Sequence, residues 1–254
     1  MNRIDYTKAK SEIVGFIKRY VIGNGFENGL VGVSGGIDSA LTLALTVEAL
    51  GSENTFALLL PYKISSEDSL IDGKKVCEQL NVQYDVIDIS PSVDAYFDRY
   101  PTDNPLQIGN KCARERMSVL YDYSVRKEAL VVGTSNKSEI LIGYATQYGD
   151  AAAAFLPIGD LYKTEVVELS KMMNIPESII NKKPSADLWY GQTDEDEIGM
   201  SYDALDEILY NATELEKLSS QINAMGFSVD NIRRVMLLMK HSEYKRCMPP
   251  VALI

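Results

Sequence analysis

The stretch Leu30-Val31-Gly32-Val33-Ser34-Gly35-Gly36-Ile37-Asp38-Ser39-Ala40-Leu41 predicts a short apolar strand, a Ser-Gly-Gly turn and a helix that opens at Asp38. The adjacent glycines allow backbone conformations that other residues resist, so successive N–H groups can point into one concavity. The following helix adds free N–H groups and the positive end of its dipole. With the hydroxyls of Ser34 and Ser39, this segment predicts a cradle for phosphate or pyrophosphate.

The segments around this loop alternate between apolar runs and helical spacing. Strands are predicted at Leu30–Val33, Thr55–Leu60, Tyr84–Ile89 and Ala129–Val132, and helices at Thr7–Val21, Asp38–Leu50, Ser66–Leu80 and Asn110–Lys127. This alternation predicts an α/β fold with a parallel twisted sheet flanked by helices. Because ligands of such sheets lie beyond the carboxyl ends of the strands, Ser34-Gly35-Gly36 and Gly133-Thr134-Ser135-Asn136 are expected to share one pocket.

The carboxyl-terminal part of the chain has helical spacing throughout. Helices are predicted at Tyr202–Tyr210, Glu214–Met225 and Val229–Lys240. No linker rich in Pro, Gly or Ser separates this part from the rest, so we expect one domain over residues 1–254. Its α/β core is predicted at about residues 25–190 and its helical section at about residues 191–254.

Composition narrows the class of protein. The 254 residues carry 25 Lys and Arg against 36 Asp and Glu, a net charge of −11, so a nucleic-acid partner is not expected. The apolar runs are far shorter than a membrane span of about 20 residues, so no membrane association is expected. Three widely spaced cysteines and a polar N-terminus are typical of a reduced, cytoplasmic protein. The single histidine, His241, argues against a Ser-His-Asp triad or a histidine-rich zinc site.

The loop lacks the lysine of the G-x-x-x-x-G-K-[ST] motif. Its Ser-Gly-Gly-x-Asp-Ser form instead resembles the loop of the PP-loop ATP pyrophosphatases, which cleave ATP between the α and β phosphates and form adenylates. Four further segments follow it: Asn110–Met117, Gly133–Asp150, Pro157–Thr164 and Pro184–Glu195. Their order and spacing resemble the ammonia-dependent NAD synthetases over nearly the whole chain. The resemblance implies a Rossmann-like, adenine nucleotide α-hydrolase-like fold.

The resemblance also implies the reaction. ATP adenylates the nicotinate carboxylate of deamido-NAD with Mg²⁺, pyrophosphate leaves, and ammonia attacks the mixed anhydride to give NAD and AMP. No glutaminase domain is recognised, so free ammonia or ammonia from a separate protein is implied. The family's homodimer is implied as well.

The implied site residues fall into three groups. The ATP site is matched by Gly32, Val33, Ser34, Gly35, Gly36, Ile37, Asp38, Ser39, Thr134, Lys163 and Ser185. The magnesium ligands are matched by Asp38 and Glu139. Deamido-NAD contacts are matched by Arg114, which reaches in from the partner subunit in the family, and by Lys245, and they are also expected at the positions of Gln147 and Tyr244. The chain departs from the family at Gln147, Ala154 and Tyr244, where Lys, Asp and His are common.

Other assignments rest on chemistry. Asp150 is a candidate to orient ammonia or accept its proton, and it joins Asp38 and Lys163 as a predicted catalytic residue. Tyr144 could stack on the nicotinate ring or be a core aromatic. The acidic run Asp194–Glu197 is predicted to be mostly a solvated helix N-terminus.

Two other functions stay open at this point. A PP-loop enzyme could act on another acceptor, as tRNA-modifying or amidating members do, but thiolating members usually carry paired cysteines or a basic module. A nucleotide-binding module without turnover is the other alternative. The presence of Asp38, Glu139 and Lys163 favours an enzyme.

Overall fold

The computed structural model describes residues 3–185 and 191–252. The strands are β1 Asn28–Gly32, β2 Thr55–Leu59, β3 Gln83–Val86 and β4 Ala129–Val132. The helices are α1 Tyr6–Gly23, α2 Ile37–Leu50, α3 Glu67–Gln79, α4 Ser90–Arg99, α5 Pro105–Arg126, α6 Lys137–Ile142, α7 Lys163–Met172, α8 Glu177–Ile180, α9 Asp194–Ile198, α10 Tyr202–Thr213, α11 Ser219–Ala224 and α12 Val229–His241. Short 3₁₀ turns lie at Ser52–Asn54 and Glu243–Arg246.

The strands form one parallel sheet in the order β3-β2-β1-β4, which confirms the predicted fold class. Leu30 of β1 is in register with Phe56 of β2 and with Val131 of β4. Beyond β4, the chain near Phe155 continues the parallel pairing through a bridge to Val132. The central strand β1 therefore ends in the middle of the sheet, and the loop that follows it opens at the carboxyl edge.

Both faces of the sheet are covered by helices, as continuous apolar strands require. Leu30 packs towards α4 and α5 with Leu58, whereas Val31 packs towards α1, α2 and α7. A third cluster joins α6 to the carboxyl-terminal helices through Ile142, Leu205 and other buried side chains. None of the helices in the described ranges combines the length and apolar character that crossing a membrane requires.

The structure corrects several predicted elements. Helices α4 and α8 were not predicted, and β3 ends at Val86 rather than Ile89 because Asp88 accepts a hydrogen bond from the Ser90 N–H at the start of α4. The predicted helix at Glu214–Met225 is reduced to α11, because Glu216 has a φ of +48° and interrupts the helical path. The single-domain organisation stays a prediction.

Candidate active site

The Ser-Gly-Gly loop connects β1 to α2 and lies against α3. Gly35 has a φ of +79°, and a Cβ atom there would lie 2.0 Å from the carbonyl oxygen of Ser69 in α3. Both the conformation and the close approach require glycine. The loop backbone is therefore held in one place relative to the sheet edge.

Hydrogen bonds within the loop fix its shape. The Ser34 N–H donates to Ser39 Oγ at 3.2 Å, Ser39 Oγ donates to the Gly36 carbonyl at 3.0 Å, and the Gly36 N–H donates to Ser34 Oγ at 3.2 Å. Gly36 is the N-cap of α2 and offers no side-chain cap. The first N–H groups of α2 are thus left for a ligand, and an anion is the ligand that a helix N-terminus favours.

Three charged side chains from separate elements meet beside this loop. The Lys163 ammonium, at the first residue of α7, lies 2.5 Å from Asp38 Oδ2 and 3.3 Å from Glu139 Oε1. Asp38 belongs to the first turn of α2 and Glu139 to the first turn of α6. The Lys163 side chain is 5 % exposed, so the cluster is largely removed from bulk water.

The low exposure of this cluster shifts its proton affinities. Burial, and to a smaller extent the Asp38 carboxylate, raise the pKa of Glu139 to about 8, although Lys163 acts in the opposite direction. Burial alone would lower the pKa of Lys163, but the carboxylates of Asp38 and Glu139 raise it above its usual value. Lys163 therefore stays charged at neutral pH and neutralises part of the acidic cluster.

Asn136 connects the carboxylates and was not predicted as a site residue. Its amide Nδ2 donates to Asp38 Oδ1 at 2.8 Å, and its Oδ1 accepts from the Glu139 N–H at 3.0 Å as the N-cap of α6. The Asn136 N–H also donates to Glu139 Oε2 at 3.4 Å, which completes a capping box. The sequence pattern Asn-x-x-Glu is the signal that could have identified it.

Asp194 corrects the prediction of a solvated acidic run. It is 4 % exposed and accepts hydrogen bonds from the hydroxyls of Tyr144 at 3.1 Å and Tyr202 at 3.2 Å. Burial raises the Asp194 pKa, while Lys163 lowers it. The prediction was wrong for Asp194, whereas residues 195–197 are exposed as expected.

The loop and the charged cluster face one cavity of about 720 Å³. Its walls include most of the predicted site residues: Gly32, Val33, Ser34, Gly36, Ile37, Asp38, Ser39, Thr134, Glu139, Tyr144, Asp150, Lys163, Ser185 and Lys245. Gly35, in the same loop, is buried and does not line the cavity. The expectation that the Ser34-Gly35-Gly36 and Gly133–Asn136 segments share a pocket is confirmed.

Three predicted dinucleotide contacts do not line this cavity. Arg114 is exposed on α5, Gln147 is partly buried, and Tyr244 is 60 % exposed in the last 3₁₀ turn. Lys245 does line the cavity, and its ammonium donates to the carbonyl oxygens of Gly143 and Ala145, both at 2.8 Å. The roles of these residues in ligand binding stay predictions.

Asp150 and Arg116 also line the cavity. Asp150 is open to the cavity, and its Oδ1 accepts from the Thr146 N–H at 2.8 Å. Although Asp150 is exposed at its surface, the groups that crowd around it in the cavity raise its pKa above the usual value through partial desolvation. Arg116, which was not predicted as a site residue, lines the cavity and donates from Nε to the Leu60 carbonyl at 2.9 Å.

Comparisons with known proteins agree with this geometry. A family model described as NAD synthase matches residues 9–249. The NH(3)-dependent NAD(+) synthetase of Fusobacterium nucleatum subsp. nucleatum is 48 % identical over 256 residues, which cover 100 % of this chain and 99 % of that protein.

Solved structures are similar as well. The NH3-dependent NAD synthetase of Campylobacter jejuni has a TM-score of 0.84 and 36 % identity, over 98 % of this chain and 100 % of that one. The NMN synthetase of Francisella tularensis has a TM-score of 0.88 and 31 % identity, over 99 % of this chain and 100 % of that one. Since sequence, fold and loop agree over nearly its full length, the chain belongs to the NAD synthase family.

Proposed function

We propose that this protein is an ammonia-dependent NAD synthetase. The nicotinate carboxylate of deamido-NAD attacks the α-phosphorus of ATP and pyrophosphate leaves; ammonia then attacks the mixed anhydride and AMP leaves. The observation that carries this proposal is the cluster of Asp38, Glu139 and Lys163 beside a phosphate cradle in one cavity. The names of the similar proteins support the same reaction.

The chain supplies two features that this chemistry needs. An anionic carboxylate must approach an anionic phosphate, so positive charge and N–H donors are needed around the reacting atoms. The uncapped N-terminus of α2 supplies donors for the triphosphate. The Lys163 ammonium supplies a fixed positive charge next to them, and its low exposure strengthens its effect on a bound phosphate.

The two carboxylates fit a magnesium ion. Asp38 and Glu139 both direct an oxygen at the Lys163 ammonium, so both can face a single cation. Mg²⁺ prefers oxygen ligands and is commonly held by one or two carboxylates together with substrate phosphates. We therefore propose Asp38 and Glu139 as its protein ligands. When bound, Mg²⁺ would offset the charge that develops on the phosphates.

Asp150 is proposed to act on the ammonia step. Its carboxylate lines the cavity, and one oxygen is already oriented by the Thr146 N–H. The raised pKa of Asp150 suits a group that takes a proton from the attacking nitrogen. Ammonia-dependent turnover should therefore fall in Asp150→Asn, and unchanged turnover would remove Asp150 from this role.

The test of the whole proposal is an assay with purified protein, ATP, Mg²⁺, deamido-NAD and ammonia. NAD, AMP and one pyrophosphate per turnover are expected. Release of ADP and orthophosphate would refute cleavage between the α and β phosphates. Omitting deamido-NAD should abolish pyrophosphate release, and continued release would point to another acceptor.

The same assay should also be run with nicotinate mononucleotide as the acceptor. The similar Francisella protein is named an NMN synthetase, and an enzyme that makes NMN amidates a mononucleotide. Arg114, Gln147 and Tyr244 lie outside the cavity wall, so the contacts expected for the second nucleotide are less complete than the ATP site. Comparing kcat/KM for nicotinate mononucleotide and deamido-NAD decides between the acceptors, and we expect deamido-NAD to be preferred.

We also propose that the protein works as a homodimer through α5. Arg114, Ser118, Tyr121 and Val125 are all exposed and follow one face of this helix. Tyr121 is 39 % and Val125 78 % exposed, which is an unusual apolar load for a solvated face. A second copy on this face would cover the apolar side chains and bring Arg114 towards the partner's cavity.

A further inference from the structure

A fully buried carboxylate lies behind the cavity. Asp206, on α10, is 0 % exposed and does not line the cavity wall. Its Oδ1 accepts from the Ser138 hydroxyl at 2.5 Å, and its Oδ2 accepts from the Thr164 N–H at 2.8 Å. Both oxygens are therefore used within the protein.

These contacts close a ring of hydrogen bonds. Ser138 Oγ, which donates to Asp206, also accepts from the Lys163 N–H at 2.9 Å. The ring thus contains the first two N–H groups of α7 and a side chain from the first turn of α6. Thr164 and Ser138 are the direct neighbours of Lys163 and Glu139 in the sequence. The ring joins the backbone supports of two site residues.

We propose that Asp206 is a positioning residue that holds Lys163 opposite Glu139 by joining the first turns of α6 and α7. The proposal rests on the proposed function, because it assumes that Lys163 and Glu139 serve adenylation. Asp206 does not touch the cavity, so it acts only through the two helices. The 3.3 Å separation of Lys163 Nζ and Glu139 Oε1 is the geometry that it maintains.

Energetics favour a positioning role over a purely structural one. A buried carboxylate costs free energy unless hydrogen bonds compensate it, and a carboxylate is needed here only where its two acceptor oxygens are used. Asp206 is nevertheless 0 % exposed, on a helix whose other fully buried side chains include Leu205 and Leu209. What the carboxylate adds, and an apolar residue could not, is a pair of directional contacts to two helix starts.

The experiment compares Asp206→Ala and Ser138→Ala with Asn211→Ala. Asn211 is a matched control because it lies on α10, is 2 % exposed, and has a side chain that bonds to the Glu207 carbonyl and to the Lys217 ammonium, neither of which belongs to the ring. All three variants are expected to lose thermal stability. Only the two ring variants are expected to lose kcat, by about 100-fold, because a displacement of about 1 Å at a reacting group can cost that much.

The readouts separate this proposal from the proposed function. ATP affinity is measured by calorimetry in each variant, at a temperature where circular dichroism shows it folded. Loss of kcat or of ATP affinity in both ring variants, but not in Asn211→Ala, supports the positioning role. Equal kcat and equal ATP affinity in all three variants would overturn it, even if the wild type makes NAD. If the wild type makes no NAD, the proposed function fails, and the ATP affinities alone decide the role of Asp206.

Discussion

Lys163 and Asp38 are 125 positions apart in the chain, yet the ammonium of one lies 2.5 Å from the carboxylate of the other. The pair joins the first turn of α7 to the first turn of α2, at the edge of the sheet where the Ser-Gly-Gly loop opens. Lys163 also holds Glu139, so one cation spans two candidate magnesium ligands. A metal ion held by both carboxylates would have to share them with the Lys163 ammonium or displace it.

We expect Asp38→Asn to depress adenylation much more than binding of the acceptor. The substitution keeps the size of the side chain but removes the charge that faces Lys163 and the proposed metal. The rate of pyrophosphate release should fall by about 100-fold or more, which is typical for loss of one electrostatic contact in an active site. The KM for deamido-NAD should change little, because the proposed role of Asp38 is on the phosphates of ATP and not on the dinucleotide.

Asp230→Asn is the control for this variant, because Asp230 is an exposed carboxylate in the first turn of α12 and does not line the cavity. Asp230→Asn should leave both the rate of pyrophosphate release and the KM for deamido-NAD unchanged. If Asp38→Asn raised the KM for deamido-NAD by the same factor as it lowered the rate, the metal role of Asp38 would be withdrawn.

Gly35→Ala should lower the stability of the folded protein more than Gly36→Ala does. At Gly35 the φ of +79° and the 2.0 Å approach to Ser69 leave no room for a Cβ. At Gly36 the φ is −93°, and the nearest atom to an added Cβ is Ser34 Oγ at 3.3 Å. Gly35→Ala should lower the free energy of unfolding by at least about 2 kcal/mol, from backbone strain and displacement of α3.

Urea unfolding followed by circular dichroism measures both variants. Gly36→Ala should lose less than half as much stability as Gly35→Ala. Equal losses would mean that the loop can move away from α3 without cost.

The fold was predictable from the sequence where periodicity is strong. β4 has the predicted bounds, and β1, β2 and α2 lie within one or two residues of them, because apolar runs between turn signals are unambiguous. The missed helix α4 is short, and its start depends on the cap from Asp88, a side-chain contact that apolar spacing does not register. The overlong prediction at Glu214–Met225 failed because the positive φ of Glu216 has no signal in hydropathy.

The candidate site was predictable where a motif is local. The loop and its Asp38 come from one continuous segment, and the cavity contains nearly all of it. The burial of Asp194 could not be predicted from the sequence, because its partner Tyr144 lies 50 positions away and the two meet only in the folded chain. The same holds for Asp206, whose partner Ser138 lies 68 positions away.

Asn136 should contribute separately to stability and to activity. Asn136→Ser keeps an N-cap oxygen for α6, but its shorter side chain ends before the amide that reaches Asp38 Oδ1. Asn136→Ala loses the cap as well, which typically costs about 1 kcal/mol. We expect both variants to lose turnover and only the alanine variant to lose stability, as measured by kcat and thermal unfolding. Full activity in Asn136→Ser would show that its contact with Asp38 is dispensable.

The three cysteines should react with a thiol reagent at very different rates. Cys77 is fully buried, and burial raises its pKa to about 12, so near pH 8 it is less ionised than an ordinary thiol. Burial also raises the pKa of Cys112, whereas Cys247 is exposed. The thiolate is the reactive form, so the native protein should label rapidly at one site only. Rapid labelling should disappear in Cys247→Ser, and three thiols should react in denaturant.

The raised pKa of Cys77 also predicts how the free energy of unfolding changes with pH. Because the folded state holds the Cys77 proton to a higher pH than the unfolded chain, its contribution to stability is complete below about pH 9 and is lost as the pH rises towards 12. Cys77→Ala should therefore flatten the fall in unfolding free energy over that interval. If the free energy of unfolding fell equally steeply with pH in Cys77→Ala, the loss of stability at alkaline pH would come from other groups.

Charge on the exposed face of α5 should separate the proposed dimer. Val125→Glu places a carboxylate at a side chain that is 78 % exposed and lies on the same face as Arg114. Sedimentation should change from dimer to monomer, and the KM for deamido-NAD should rise while ATP affinity is kept, because Arg114 loses access to the partner's cavity. Val229→Glu, at a 63 % exposed position on α12, is the matched control and should remain dimeric. A wild-type monomer would make the Arg114 assignment untenable, and a dimer that survives Val125→Glu would move the interface to another face of the molecule.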